Sequence, residues 1–255
     1  LRITPLRPMA DLLREATAAE PPKETGDFRT PDLVELTALD PSIKLEIRYA
    51  TTNNFLGTVF YSQARAFMQR PAAEALVRAH HKLRKLGYGL LIHDAYRPWY
   101  VTKMFWDATP NDKKVFVANP QKGSRHNRGC AVDLTLYDLK TGKPVQMVST
   151  YDETTDRASA DYPGGTSLQR WHRHLLREAM EAGAFGFTTT TSRNHVGYQG
   201  RPLACRNASR DELTAYANAL KERGKGAIEI ALTRKIAVLD DEEYDLLDLL
   251  LRESG

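Results

Sequence analysis

The stretch Ser124–Arg125–His126–Asn127–Arg128–Gly129–Cys130–Ala131–Val132–Asp133 holds the residue types best suited to metal chemistry in this sequence. It sets a histidine in a loop and an aspartate on the strand that follows, so an imidazole nitrogen and a carboxylate oxygen can approach one zinc from two directions. Catalytic zinc takes three protein ligands, commonly His and carboxylate, and keeps a fourth position for water. A third ligand must therefore come from elsewhere. An isolated His-x6-Asp pair is more often a surface histidine and a turn aspartate. Here Asp133 interrupts an apolar run, where a carboxylate without a partner is costly, and Ser124 and Gly129 suit a tight loop. Cys130 alternates with Val132 and Leu134 onto the face opposite Asp133, so its thiol is expected in the core and off the metal. Cys130 and Cys205 form no CxxC pattern; a single long-range disulfide between them stays open.

Several elements must position this pair. Met9–Ala19 is amphipathic and is followed by Pro21, Pro22, Gly26 and Pro31, a surface helix and then a linker. Leu33–Tyr49 alternates like strands broken by a turn at Asp40–Pro41. Between Pro71 and Leu86 the residues Ala75, Leu76, Ala79, Leu83 and Leu86 recur at helical spacing, with Pro71 in the first turn and Gly87 past the end. Tyr88–Ile92 reads as a buried strand delivering His93–Pro98 to its end, and Pro98–Ala108 as a helix. Gly129–Tyr137 has a period of two, and Lys140–Lys143 turns it into Pro144–Val148. Ser167–Gly183 carries Leu168, Trp171, Leu175, Ala179 and Met180 on one helical stripe. Asp211–Lys221 and Asp241–Leu251 read as helices, and Ala227–Val238 as strand. These elements predict an α+β fold with a mainly antiparallel central sheet flanked by helices. The expected organisation is an N-terminal helix and linker (1–32), a catalytic domain (33–205) and a C-terminal helical extension (206–255).

The 255 residues suffice for one substantial core, and 42% hydrophobic with 27% charged residues is ordinary globular composition. The net charge of +4 arises from 36 basic and 32 acidic residues mixed throughout, without a basic stripe or recognition motif, so no nucleic-acid partner is expected. No apolar stretch approaches the ~18 residues of a membrane span. The chain begins with Leu1 rather than Met, and periplasmic or secreted residence is expected, with a leader removed. Oligomeric state has no signature.

The stretch Ser124–Asp133 resembles the Ser-x-His-x-x-Gly-x-Ala-x-Asp motif of the M15 metallopeptidases, closely their D-alanyl-D-alanine dipeptidase branch of the VanX type. Three further blocks match in order: Arg48–Tyr49–Ala50–Thr51 with Asn53–Asn54–Phe55 and Gly57; Asp94–Ala95–Tyr96–Arg97–Pro98; and Met147 through Tyr151–Asp152. With Asp133–Tyr137 they span roughly Glu46–Gly186. The resemblance implies one zinc ion per chain, with His126 and Asp133 as ligands, and Arg97 as the cation that stabilises the oxyanion. It makes Ser124 and Asp152 candidates for holding a small D-amino-acid dipeptide or peptidoglycan fragment, Asp152 facing its ammonium group.

One part of the pattern departs. In this family the third ligand and the general base come together as Glu-Trp-Trp-His shortly after a Gly-Phe. Here Gly186–Phe187 is followed by Thr188–Thr191, Ser192, Arg193, Asn194 and His195. His195 can serve as the third zinc ligand, but Ser192 or Arg193 stands where the glutamate should be and both tryptophans are missing. No carboxylate occurs between Glu181 and Asp211. Glu178 and Glu181 are expected to face solvent on the preceding helix. A sequence error, a shifted reading frame or genuine loss of activity each accounts for the change. Two functions follow: a zinc dipeptidase acting on D-Ala-D-Ala or a related cell-wall dipeptide, or a weak or inactive relative that binds zinc or peptidoglycan peptide.

Overall fold

The N-terminal amphipathic piece forms helix α1 (Met9–Ala18), which turns Leu12 and Ala16 inward. Beyond the proline-rich stretch come β1 (Leu33–Glu35), a single turn α2 (Leu36–Leu39), β2 (Lys44–Leu45) and β3 (Phe67–Gln69). The chain continues through α3 (Arg70–Arg84), β4 (Tyr88–Asp94), α4 (Trp99–Ala108), β5 (Asp133–Asp138) and α5 (Ser167–Gly183). It ends with β6 (Gly186–Thr190), α6 (Arg210–Arg223), β7 (Ala227–Ala231) and α7 (Asp241–Ser254). The computed structural model describes residues 2–23, 25–26, 28–153, 155–160, 162–183, 186–190, 209–223, 227–231 and 241–254. Two compact units divide the chain, Leu1–Gly183 and Ala184–Gly255.

Helix α3 shows how the first unit is built. Pro71 sits in its first turn, where a missing N–H costs nothing, and Ala73, Leu76, His80 and Leu83 recur on its buried face. Gly87, with φ 88°, lets the chain reverse into β4. The core brings Leu76 and Leu83 of α3 against Leu90 and Ile92 of β4, Leu136 of β5, and Leu175 and Ala179 of α5.

The α+β class is observed, with a mixed central sheet in place of the mainly antiparallel one expected. Its order is β2-β4-β5, with β2–β4 parallel and β4–β5 antiparallel. The reason is topological: the path from β2 to β4 passes through helix α3, and such a crossover returns the chain in the same direction. β1 and β3 form a separate antiparallel pair. Pro144–Val148 makes no regular strand. The turn closes with a bridge between Tyr137 and Pro144 and a bond from Val145 N to Leu136 O, since Pro144 has no N–H to donate. On α5, Leu175 and Ala179 are buried while Leu168 and Trp171 are exposed, and His172 is buried in their stead.

In the second unit β6 and β7 pair in parallel, and Leu213, Ala217, Leu246 and Leu250 of α6 and α7 form its core.

Candidate metal and substrate site

Strand β4 ends in an irregularity that builds the site. Its register with β5 runs Ile92 to Leu134 and then Asp94 to Asp133, so His93 is an extra residue. Bulges of this kind re-aim side chains at strand ends. Here the bulge sets two carboxylates, Asp94 and Asp133, opposite each other.

His126 is delivered by a single 3₁₀ turn, Arg125–Arg128. Ser124 caps it by accepting from His126 N at 3.2 Å, and Asn127 Oδ1 accepts from Ser124 N at 2.8 Å, a reciprocal capping box. Asn127 also donates to Arg97 O and Thr102 Oγ1, tying the turn to the segment after β4. The turn exits through Gly129 at φ 68°, where a Cβ would lie 2.6 Å from Leu33 Cδ2. His126 Nδ1 donates to Ala95 O at 2.8 Å, which leaves Nε2 as the lone-pair nitrogen of the neutral ring. Nε2 lies 3.5 Å from Asp133 Oδ1.

That separation fits a shared metal ion. Two donors at ~2.0–2.2 Å on a tetrahedral zinc stand about 3.3–3.6 Å apart. Among the described residues Asp94, His126 and Asp133 form a group close enough to hold an ion. Hydrogen bonding divides them. Asp94 Oδ2 already accepts from Arg97 Nε and Nη2 at 2.9 and 2.7 Å, and Oδ1 accepts from Tyr61 Oη at 2.8 Å. A guanidinium seated on this carboxylate repels a second cation, and Asp94 approaches His126 from its Nδ1 side, at 3.7 Å. We therefore read Asp94 as the partner of Arg97, and His126 with Asp133 as the donors left for metal.

Arg97 is buried against the rings of Tyr49 and Phe105, 5.2 and 4.9 Å from their centroids, and 3.8 Å from Asp133 Oδ2. Burial disfavours its cation, but Asp94 outweighs that and the guanidinium stays charged. For Asp133 burial pushes upward, while His126, Arg97 and the Tyr151 hydroxyl together hold its carboxyl below the usual range. Asp152 differs: burial, then the charge of Asp133, push it up to about 6. It takes up left-handed backbone, φ 56°, a conformation Asp tolerates better than most residues, and accepts from Tyr49 Oη at 3.4 Å.

Arg97, Ser124, His126, Asp133 and Asp152, all singled out from sequence, line one pocket of about 360 Å³. Ile3, Phe55 and Phe116 give the same pocket an apolar wall. The buried Asn54 shapes that wall by donating to Thr51 O and Thr58 O, both at 2.7 Å, and accepting from Leu56 N. His195, Ser192, Arg193 and Cys205 lie outside the described residues. Glu178 and Glu181 face solvent, paired with His174 and Arg177. Cys130 is free and exposed, a correction to the expectation of a core thiol. The strand begins only at Asp133, and Cys130 still belongs to the turn through Cys130 N to Arg125 O, so alternation does not reach it. Sequence reasoning assigned no role to Asp94, Tyr49, Tyr61 or Tyr151. The Asp-x-x-Arg spacing of Asp94 and Arg97 was the available signal for the first.

The sequence model of the M15 peptidase family described as D-ala-D-ala dipeptidase matches residues 29–192. The D-alanyl-D-alanine dipeptidase of Escherichia coli (strain K12) is 35% identical over 156 residues, 61% of this chain and 79% of that protein. The enzyme of the same name from Enterococcus faecalis (strain ATCC 700802 / V583) is 33% identical over 161 residues, 56% of this chain and 80% of its own. That of Streptomyces coelicolor (strain ATCC BAA-471 / A3(2) / M145) is 32% identical over 182 residues, 63% and 86% of the two chains.

Proposed function

This chain belongs to the D-Ala-D-Ala dipeptidase family of M15 peptidases, and from that premise we propose that it hydrolyses D-alanyl-D-alanine or a closely related cell-wall dipeptide at a single zinc site, with weakened activation of water. The observation that carries this is the pairing of His126 Nε2 and Asp133 Oδ1 at 3.5 Å in the pocket that also holds Arg97 and Asp152.

His126, Asp133 and, by the resemblance, His195 would hold the zinc, which supplies Lewis-acid polarisation of the scissile carbonyl and a lowered pKa for bound water. Arg97, fixed on Asp94 and unable to lose its proton, offers a guanidinium to the carbonyl oxygen as charge develops there. Asp152 receives the substrate's ammonium group, and Ser124 presents its hydroxyl to the pocket. The missing function is proton acceptance: neither Ser192 nor Arg193 can take a proton as a carboxylate does.

Zinc-reconstituted protein should contain about one equivalent of metal; less than about a tenth would remove the site. Free D-Ala-D-Ala should be cleaved in preference to its N-acetylated form, and equal rates would discard the ammonium role of Asp152. Replacing Arg193–Asn194–His195 with Glu-Trp-Trp-His should raise turnover about 10²–10⁴-fold at equal zinc occupancy, the usual worth of a positioned base. The second reading, a relative that binds zinc or peptidoglycan peptide without efficient turnover, is favoured by the lack of any carboxylate between Glu181 and Asp211. It is distinguished by full zinc occupancy without release of D-alanine.

A further inference from the structure

The two proposed ligands differ in how their second polar atom is fixed. For His126 this is a backbone carbonyl, Ala95 O, 2.8 Å from Nδ1. For Asp133 it is a side chain: Tyr151 Oη lies 3.2 Å from Oδ2. We infer that Tyr151 is a positioning residue for the metal site, its hydroxyl donating to Asp133 Oδ2 so that Oδ1 is held out toward His126 Nε2.

A carboxylate rotates about its last bond and presents either oxygen unless something distinguishes them. Tyr151 and Arg97, 3.8 Å away, both face Oδ2, so the oxygen left beside His126 is Oδ1. Tyr151 is itself fixed by packing. Its ring lies 4.9 Å from that of His93, the extra residue of the β4 bulge, and 6.3 Å from that of Tyr49, with the Arg48 guanidinium 5.7 Å from its centroid. A phenol hydroxyl facing a carboxylate oxygen is the donor of the pair. Outer hydrogen bonds of this kind keep ligands in the geometry the metal needs, and losing one weakens metal affinity by about 10–100-fold.

The inference rests on the zinc site proposed above, and the experiment separates the two. Full-length Tyr151→Phe keeps the ring and its packing and removes only the hydroxyl. Zinc affinity should be measured for both proteins by competition with a chromophoric chelator, together with the visible spectrum of the cobalt-substituted forms and the melting of the metal-free forms. The expected result is zinc binding weaker by about 10–100-fold and an altered cobalt spectrum. A purely structural tyrosine would move the melting of the metal-free protein and leave both metal readouts as in the parent. Equal zinc affinity and identical cobalt spectra overturn the positioning role while leaving the site intact. Failure of the parent protein itself to bind zinc overturns both.

Discussion

Asp152 places a carboxyl in a pocket that already holds Asp133, on a left-handed backbone, with its proton affinity pushed up to about 6. A cationic ligand relieves the electrostatic cost by stabilising the charge that burial and Asp133 oppose. Because protonated Asp152 cannot pair with an ammonium, binding of the free dipeptide should weaken as pH falls through the titration of Asp152, which zinc on Asp133 would move down from the metal-free value of about 6. An Asp152→Asn protein with the parent's KM for the free dipeptide would remove Asp152 from that role. The same shift has a stability consequence. A carboxyl raised in the folded state contributes stability below its unfolded value, lost as pH rises through about 6. Asp152→Asn should therefore unfold later at pH 7, by on the order of 1–2 kcal/mol after discounting its partial exposure, while KM rises. Asp133 is legible because a carboxylate in an apolar run is chemically unusual, whereas Arg97, Ser124 and Asp152 are assigned through the family resemblance. Tyr151 escaped because its pairing with Asp133 spans eighteen positions, which local spacing does not carry, whereas the pairing of Asp94 with Arg97 was written in an Asp-x-x-Arg spacing and was passed over.

At the scale of elements, the 3₁₀ turn bearing His126 depends on one glycine. Gly129→Ala would place a methyl 2.6 Å from Leu33 Cδ2 and 3.3 Å from Gln69 N, at φ 68°. The expected cost is about 2 kcal/mol or more, read from the denaturant midpoint, with zinc affinity falling as His126 shifts. An unchanged midpoint would show that β1 gives way freely. The support of the central sheet is pH-sensitive for a separate reason. His80 of α3 accepts from Leu90 N and bonds Ser42 Oγ, and Ser42 in turn donates to Asp40 Oδ1. Burial pushes His80 down to about 4, so the folded state binds fewer protons than the unfolded one between there and the ordinary value of 6.5. Stability should fall as pH drops through that window. Asp40 extends the loss: burial would raise it, but its bonds from Ser42 hold it at about 2, and its contribution disappears between 3.8 and that value. His80→Gln should flatten the dependence between pH 6.5 and 4; an unaltered slope would place the sensitivity elsewhere. Helices α3 and α5 are legible in sequence because a 3.6-residue stripe is a local signal. The mixed sheet is not, because strand direction is set by the crossover through α3 rather than by any residue in the strands.

At the scale of the whole molecule, the family match begins at residue 29, yet the segment before it contributes to the pocket. Ile3 N donates to Phe55 O at 2.7 Å, Leu6 N donates to Ala108 O at 3.0 Å, and Ile3 lines the apolar wall. Ile3 and Leu12 are buried in one cluster with Tyr49, Phe55, Val101 and Phe105. Tyr49 and Phe105 are the rings against which Arg97 is held, so the N-terminal segment backs the cation as well as the wall. The amphipathic pattern of Met9–Ala19 shows a helix with one apolar face but not the surface that face covers. Burying two large aliphatic side chains contributes about 3–6 kcal/mol. Deleting residues 1–28 should accordingly lower the unfolding free energy of the first unit by about 3–6 kcal/mol, read as an earlier denaturant midpoint. Ile3→Ala is the finer probe. It should cost about 2–4 kcal/mol, as large-to-small changes at buried sites do. It should also enlarge the apolar end of the pocket, raising relative kcat/KM for dipeptides with a bulkier D-residue against D-Ala-D-Ala. The ratio between substrates cancels any shared loss of folded protein. Constancy of that ratio, alongside the expected drop in stability, would confine Ile3 to the core and leave the pocket's size limit to Phe55 and Phe116.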